Sequence, residues 1–184
     1  MVCNFYFAKV ALIFQLILFL CIFAKKTMKL NLLLCGKTDF PWTATGMDIY
    51  SKRIKNYVPF DIKVLPDLKN TANLSADEIK TAEGQKILNA MTPSDFVILL
   101  DENGRNMSSV DFASDIQKLM NSGRKNIFFV IGGPYGFSKK VYERANDKIS
   151  LSPMTFSHQI VRLIFLEQLY RAFTILNNEP YHHA

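Results

Sequence analysis

A chain of 184 residues, 49% hydrophobic and 21% charged, is long enough for one domain with a full core and too short for two comfortable ones. Its three cysteines, Cys3, Cys21 and Cys35, form neither a C-x-x-C pair nor a zinc spacing, and their odd number argues against a disulfide framework and for a reducing, cytoplasmic compartment. The net charge of +6 falls to +3 beyond residue 27, with 19 basic side chains against 16 acidic, which permits RNA binding through local patches without requiring it.

Residues 1–27 read as a hydrophobic N-terminal extension. The apolar run Val10–Ala24, interrupted only by Gln15, has 15 residues, fewer than the roughly 20 that a spanning helix needs. It suits the apolar centre of a signal peptide, but Ile22-Phe23-Ala24 puts a bulky residue where a small-x-small cleavage pattern needs a small one. A third reading places the natural start at Met28, from which "MKLNLLLCGK" runs straight into a strand. A membrane is a partner only if the extension is an anchor.

From Met28 onward strands alternate with helices. Lys29–Cys35 reads as a buried strand closed by Gly36. Helical spacing of Trp42, Met47, Ile49, Tyr50 and Ile54 predicts a helix from Pro41 to about Asn56, and Asp61–Leu65 a second strand stopped by Pro66. "PDLKNTANLSADE" is a turn-rich loop leading to a helix from about Ala76 to Ala90, with Ser75 and Glu78 as a capping box. Asp95–Leu100 is a third strand, Ser109–Met120 a helix that ends near Gly123, and Asn126–Ile131 a fourth strand. A short helix over Ser138–Ala145, a fifth strand over Lys148–Leu151 and a long helix over about Ser157–Leu176 complete the chain. The expected fold is α/β, a mostly parallel sheet flanked by helices on both faces.

Ligands of open parallel sheets collect at the carboxyl ends of strands. Three such ends stand out: Leu100-Asp101, Gly132-Gly133, and Leu151–Phe156. The loop "GGPYG" is one spacer short of a G-x-G-x-x-G dinucleotide fingerprint and has no Walker spacing, and Pro134 removes a backbone donor that a phosphate cradle would use. Two readings stay open for it: a tight turn from strand to helix, or a bare backbone against which a flat cofactor can lie.

Five stretches, in order and at consistent separations, carry a family resemblance: "MKLNLLLCGK", "VIGGPYGFS", "LSPMTFSHQIVR", "EQLYRAF" and the terminal "PYHH". Together they make residues 28–184 resemble the RlmH-type SPOUT methyltransferases, which methylate a pseudouridine in the large-subunit ribosomal RNA of bacteria. The resemblance implies a SPOUT methyltransferase domain over residues 28–184 with a C-terminal trefoil knot, a feature no strand-and-helix pattern would give. It implies S-adenosyl-L-methionine as cofactor, no metal, 23S ribosomal RNA or the assembled ribosome as partner, and a homodimer.

Carried over residue by residue, the cofactor contacts fall at Leu100, Gly132, Leu151, Ser152, Pro153, Met154, Thr155 and Phe156. These are the three strand ends already singled out. Leu100, Leu151, Met154 and Phe156 can sandwich a flat adenine, while glycine backbone reads its edge. The family's acceptor is N3 of pseudouridine, an imide nitrogen that must lose its proton, so His158 and the tail histidine His182 are candidates to assist and Arg162 or Arg171 to supply a nearby cation. Tyr181 and His182 are implied to complete a neighbouring subunit's site. The rival is a non-enzymatic RNA- or ribosome-binding protein on the same scaffold.

Each candidate has a plainer alternative. His158, at the start of the last helix, reads equally as a capping residue. Arg171 follows Glu167 by four residues, and an intrahelical ion pair is its default role. Arg162, among Val161, Leu163, Ile164 and Phe165, is a charge that needs a partner. Lys139, Lys140 and Arg144 are surface charges or phosphate contacts. The last helix is apolar around nearly its whole circumference, more than one small domain can bury, which points to a symmetric dimer.

Overall fold

The computed structural model describes residues 28–182; the N-terminal extension, with its anchor, signal and Met28-start readings, lies outside the described residues. In chain order the elements are β1 (Lys29–Cys35), α1 (Pro41–Ile54), β2 (Phe60–Leu65), a 3-10 turn (Thr71–Asn73), α2 (Ala76–Asn89), β3 (Phe96–Asn106), α3 (Ser109–Asn121), β4 (Asn126–Ile131), α4 (Lys139–Arg144), β5 (Asp147–Ser150) and α5 (Ile160–Leu176). The five strands form one sheet in the order β2-β1-β4-β3-β5, every neighbouring pair parallel.

Alternation along the strands explains why both faces are covered. Leu30, Leu32, Leu34, Ile98, Leu100, Ile127, Phe129 and Ile131 point to one face, where they pack with Met47 and Ile54 of α1, Phe112 and Ile116 of α3, and Phe165, Leu166, Leu169 and Phe173 of α5. Leu33, Cys35, Val97, Leu99, Phe128 and Val130 point to the other face, with Ile87 of α2 and Val141 of α4. Cys35, the cysteine within the described residues, is free, and burial pushes its thiol up to about 12, so it packs as a small hydrophobe.

Local chemistry fixes the helix ends. Ser75 accepts from the Glu78 amide while the Glu78 carboxylate accepts from Ser75, the expected capping box. Ser108 and Asp111 make a second box at α3. Gly123, just past the end of α3, has φ +72°, a conformation glycine adopts without steric cost.

Two elements differ from the sequence expectation. β3 does not stop at Leu100 but runs to Asn106, because after pairing Leu100 with Ile149 it bulges and pairs again, Arg105 with Ile149 and Asn106 with Ser150. Gly104 allows that return: a methyl group on it would lie 2.4 Å from the Ile149 carbonyl carbon. α5 begins at Ile160, not near Ser157, so the segment from Leu151 to Gln159 is irregular backbone laid across the strand ends.

Candidate active site

The carboxyl ends of β4 and β5 and the point where β3 bulges after Leu100 open into one cavity of about 590 Å3, a volume in the range of small-molecule and cofactor sites. The first wall is the glycine loop. β4 ends at Ile131, and Gly132 to Gly136 fold into a tight turn in which the Gly136 amide donates to the Gly133 carbonyl at 3.2 Å, with Gly136 at φ +79°. The loop is thus a tight turn from strand toward helix, and the turn itself lines the cavity.

The second wall is the bulge after Leu100. Asp101 accepts 2.5 Å and 2.8 Å hydrogen bonds, from the Tyr142 hydroxyl and from the Asn103 amide. Partial desolvation and the bond to that carboxylate hold the hydroxyl far above its ordinary pKa, so it stays protonated. The third wall is the irregular segment. Ser150 donates to the Ser152 carbonyl at 2.8 Å, the Met154 amide donates to Ser152 Oγ at 2.9 Å, and Thr155 reaches Glu102 at 3.4 Å, which joins the second and third walls.

Of the eight predicted cofactor contacts, Leu100, Gly132, Leu151, Ser152, Met154, Thr155 and Phe156 line this cavity, and His158 joins them. Pro153 is exposed and outside the lining. Burial, then the charge of Arg162, lowers the His158 pKa below its ordinary 6.5, against an opposing pull from Asp39. Its imidazole is thus neutral near pH 7, able to accept a proton.

Arg162 is not at the cavity. Its side chain is wholly buried, and its guanidinium donates to the carbonyls of Cys35 (2.6 Å), Lys37 (2.8 Å) and Gly36 (3.2 Å) and to Thr38 Oγ1 (2.9 Å). The partner the sequence reading required is backbone at the end of β1, not substrate or subunit. Tyr181 and His182 follow α5 and do not line the cavity; the tail folds back so that the Tyr181 ring packs on Tyr170 in the middle of that helix. There the Tyr181 hydroxyl is 3.2 Å from that of Tyr50 and donates to Glu167 at 3.1 Å. Glu167 also pairs with Arg171 at 2.6 Å, the intrahelical role expected of that arginine. Arg144 donates 2.8 Å bonds to the Thr92 and Asp95 carbonyls and Lys139 pairs with Glu143 at 3.8 Å, so of the three cations after the glycine loop Lys140 is the one without a partner among the described residues.

Sequence reasoning missed Lys80, Glu102, Tyr142 and Phe137, which also line the cavity. For Tyr142 and Phe137 a signal existed: both follow Gly136 within six residues. Lys80 comes from α2, and nothing local in the sequence ties it to the strand ends. Among the described residues no group of three His, Cys, Asp or Glu is placed to hold a metal ion, and no helix is long and apolar enough to cross a membrane.

Residues 28–182 match the family described as "Predicted SPOUT methyltransferase". The chain belongs to the SPOUT methyltransferase family. This SPOUT methyltransferase is 57% identical over 156 residues to a "Ribosomal RNA large subunit methyltransferase H" of Christiangramia forsetii, covering 85% of this chain and 99% of the relative. Proteins of the same name from Flavobacterium johnsoniae and Parabacteroides distasonis are 55% and 51% identical over the same coverage.

Proposed function

We propose that this chain is an enzyme that transfers a methyl group from S-adenosyl-L-methionine to N3 of a pseudouridine in bacterial 23S ribosomal RNA, working in the cytoplasm as a homodimer on the RNA or the assembled ribosome. The observation that carries the reading is the convergence of three strand-end segments on one cavity, in a chain whose relatives at 51–57% identity are named for ribosomal RNA methylation. The same convergence of a built cavity with those names weighs against a purely RNA-binding scaffold.

The lining fits the proposed cofactor. Leu100, Leu151 and Phe156 supply apolar walls for a flat ring, and the Gly132–Gly136 turn and Ser152 offer polar backbone and hydroxyl groups for its edge and ribose. A side chain at 132 would intrude: even a methyl group there would lie 3.1 Å from the Phe137 ring. When bound, S-adenosyl-L-methionine supplies a methyl group already activated by its sulfonium. What remains for the protein is to align the acceptor nitrogen and to take its proton. His158, neutral and on the cavity wall, accepts the imide proton on an imidazole nitrogen.

The passage of β5 beneath the Asp101–Asn106 bulge, with Gly104 against the Ile149 backbone, supports the trefoil knot that the family implies. Exposed Trp42 and Ile49 on α1 and Ile160 on α5 support a dimer across those helices. In that dimer Tyr181 and His182 of one protomer complete the cavity of its partner. Isothermal titration calorimetry with S-adenosyl-L-methionine tests the reading: saturable binding is expected, and no heat at high micromolar ligand would sink it.

A further inference from the structure

Glu83 of α2 does not line the cavity, yet it faces the turn that does. A methyl group placed on Gly133 would lie 2.6 Å and 2.5 Å from its Oε1 and Oε2, so the carboxylate occupies the space a side chain at 133 would need. Oε2 is buried and has no hydrogen-bond partner among the described residues, a position that costs free energy in a folded protein and calls for a reason. Lys86, on the next turn, is engaged elsewhere, donating to the Pro66 carbonyl at 2.7 Å and the Asp67 carbonyl at 3.2 Å.

The following residue makes the matching contact. A methyl group on Gly84 would lie 2.2 Å from Ser138 Oγ, and Ser138 is the residue that immediately precedes α4. Two successive residues of α2 therefore touch the two ends of the segment Gly133–Ser138. Burial, and after it the Asp67 carboxylate, raises the carboxyl pKa of Glu83 against the opposing pull of Lys86 and the Gly133 amide. A residue chosen for packing alone would be apolar here, as its neighbours Ile87 and Val141 are.

We propose that Glu83 is a positioning residue for methyl-donor binding: its carboxylate props Gly133 so that Gly132 and the turn keep the shape of the cavity wall. This rests on the reading of the cavity as the S-adenosyl-L-methionine site. Glu83 touches neither cofactor nor substrate and acts only through the loop.

The test is calorimetric titration of S-adenosyl-L-methionine into the full chain and the variants E83A, E83Q, G133A and E83A/G133A, with steady-state methylation alongside. E83A is expected to weaken binding by about tenfold or more, roughly 1.4 kcal/mol, and to raise KM for the cofactor while kcat at saturation stays near wild type. E83Q keeps the shape and an acceptor oxygen, and is expected to recover most of the affinity. G133A pushes a methyl group at the same carboxylate, reads the contact from the other side should E83A fail to fold, and is also expected to weaken binding. Because removing the carboxylate makes room for that methyl group, the double variant is expected to lose less than the product of the two single losses. Wild-type affinity in E83A and G133A, or losses that simply multiply, overturns the inference alone. Absence of binding by the wild type overturns the reading of the cavity, and the inference with it.

Discussion

Arg162 on α5 donates a 2.6 Å hydrogen bond to the Cys35 carbonyl at the end of β1, across 127 residues of sequence. With the bonds to Gly36, Lys37 and Thr38, this pins the loop between β1 and α1 against the helix that follows the cavity. His158, four residues before Arg162, lies on the cavity wall, so the arginine sets the seat of the site without entering it. Replacing it by methionine keeps the apolar stem and removes the donors to the Cys35 and Gly36 carbonyls, while the Lys37 carbonyl keeps its 3.1 Å bond from Gln159 Nε2. R162M is expected to lose on the order of 2–4 kcal/mol of stability in chemical denaturation, while the folded fraction still binds cofactor.

Gly132 stands at the close approach of β4 to the Phe137 ring, where a methyl group would already be 3.1 Å from Cε1. Valine adds two branches at that point and fills the wall. G132V is expected to abolish S-adenosyl-L-methionine binding in calorimetry with far-ultraviolet circular dichroism unchanged. Unchanged affinity would remove the loop from the site.

The His158 pKa is depressed in the fold, so its neutral form is the favoured one. The stability this contributes is present above the ordinary value of 6.5 and is lost as pH falls through the lower, folded value. Activity is expected to follow the same direction, with kcat/KM falling on the acid side around a midpoint below 6.5. H158N is expected to lower kcat on the order of 100-fold and to erase that acid limb. A limb that persists in the variant belongs to another group.

Trp42 is the single tryptophan of the chain and is 54% exposed in one protomer. A dimer across α1 and α5 covers it. Its emission is expected to shift to longer wavelength on dilution, and I160D is expected to convert the protein to monomer in analytical ultracentrifugation. A monomeric wild type at micromolar concentration would contradict the dimer.

What was legible in the sequence was what is local. Lys29–Cys35 and Asn126–Ile131 were readable to the residue because buried parallel strands are continuous apolar runs ended by glycine or polar residues. The three strand ends followed from the general location of ligand sites in such sheets, and those ends do meet. The continuation of β3 past Asp101 was not legible, because its polar residues pair with β5 more than 40 positions away. Nor were the partners of Arg162, which are backbone carbonyls and leave no mark on composition. Glu83 left one unread sign, the Glu-Gly step inside a helix, since glycine in a helix interior costs about 1 kcal/mol and needs a neighbour that comes close.

The most direct test is to map methylation in the 23S ribosomal RNA of a strain lacking this protein, with and without complementation. The expected result is loss of one N3-methylpseudouridine, restored by the wild-type chain and not by G132V. An unchanged modification map in the deletion strain would contradict the proposed activity.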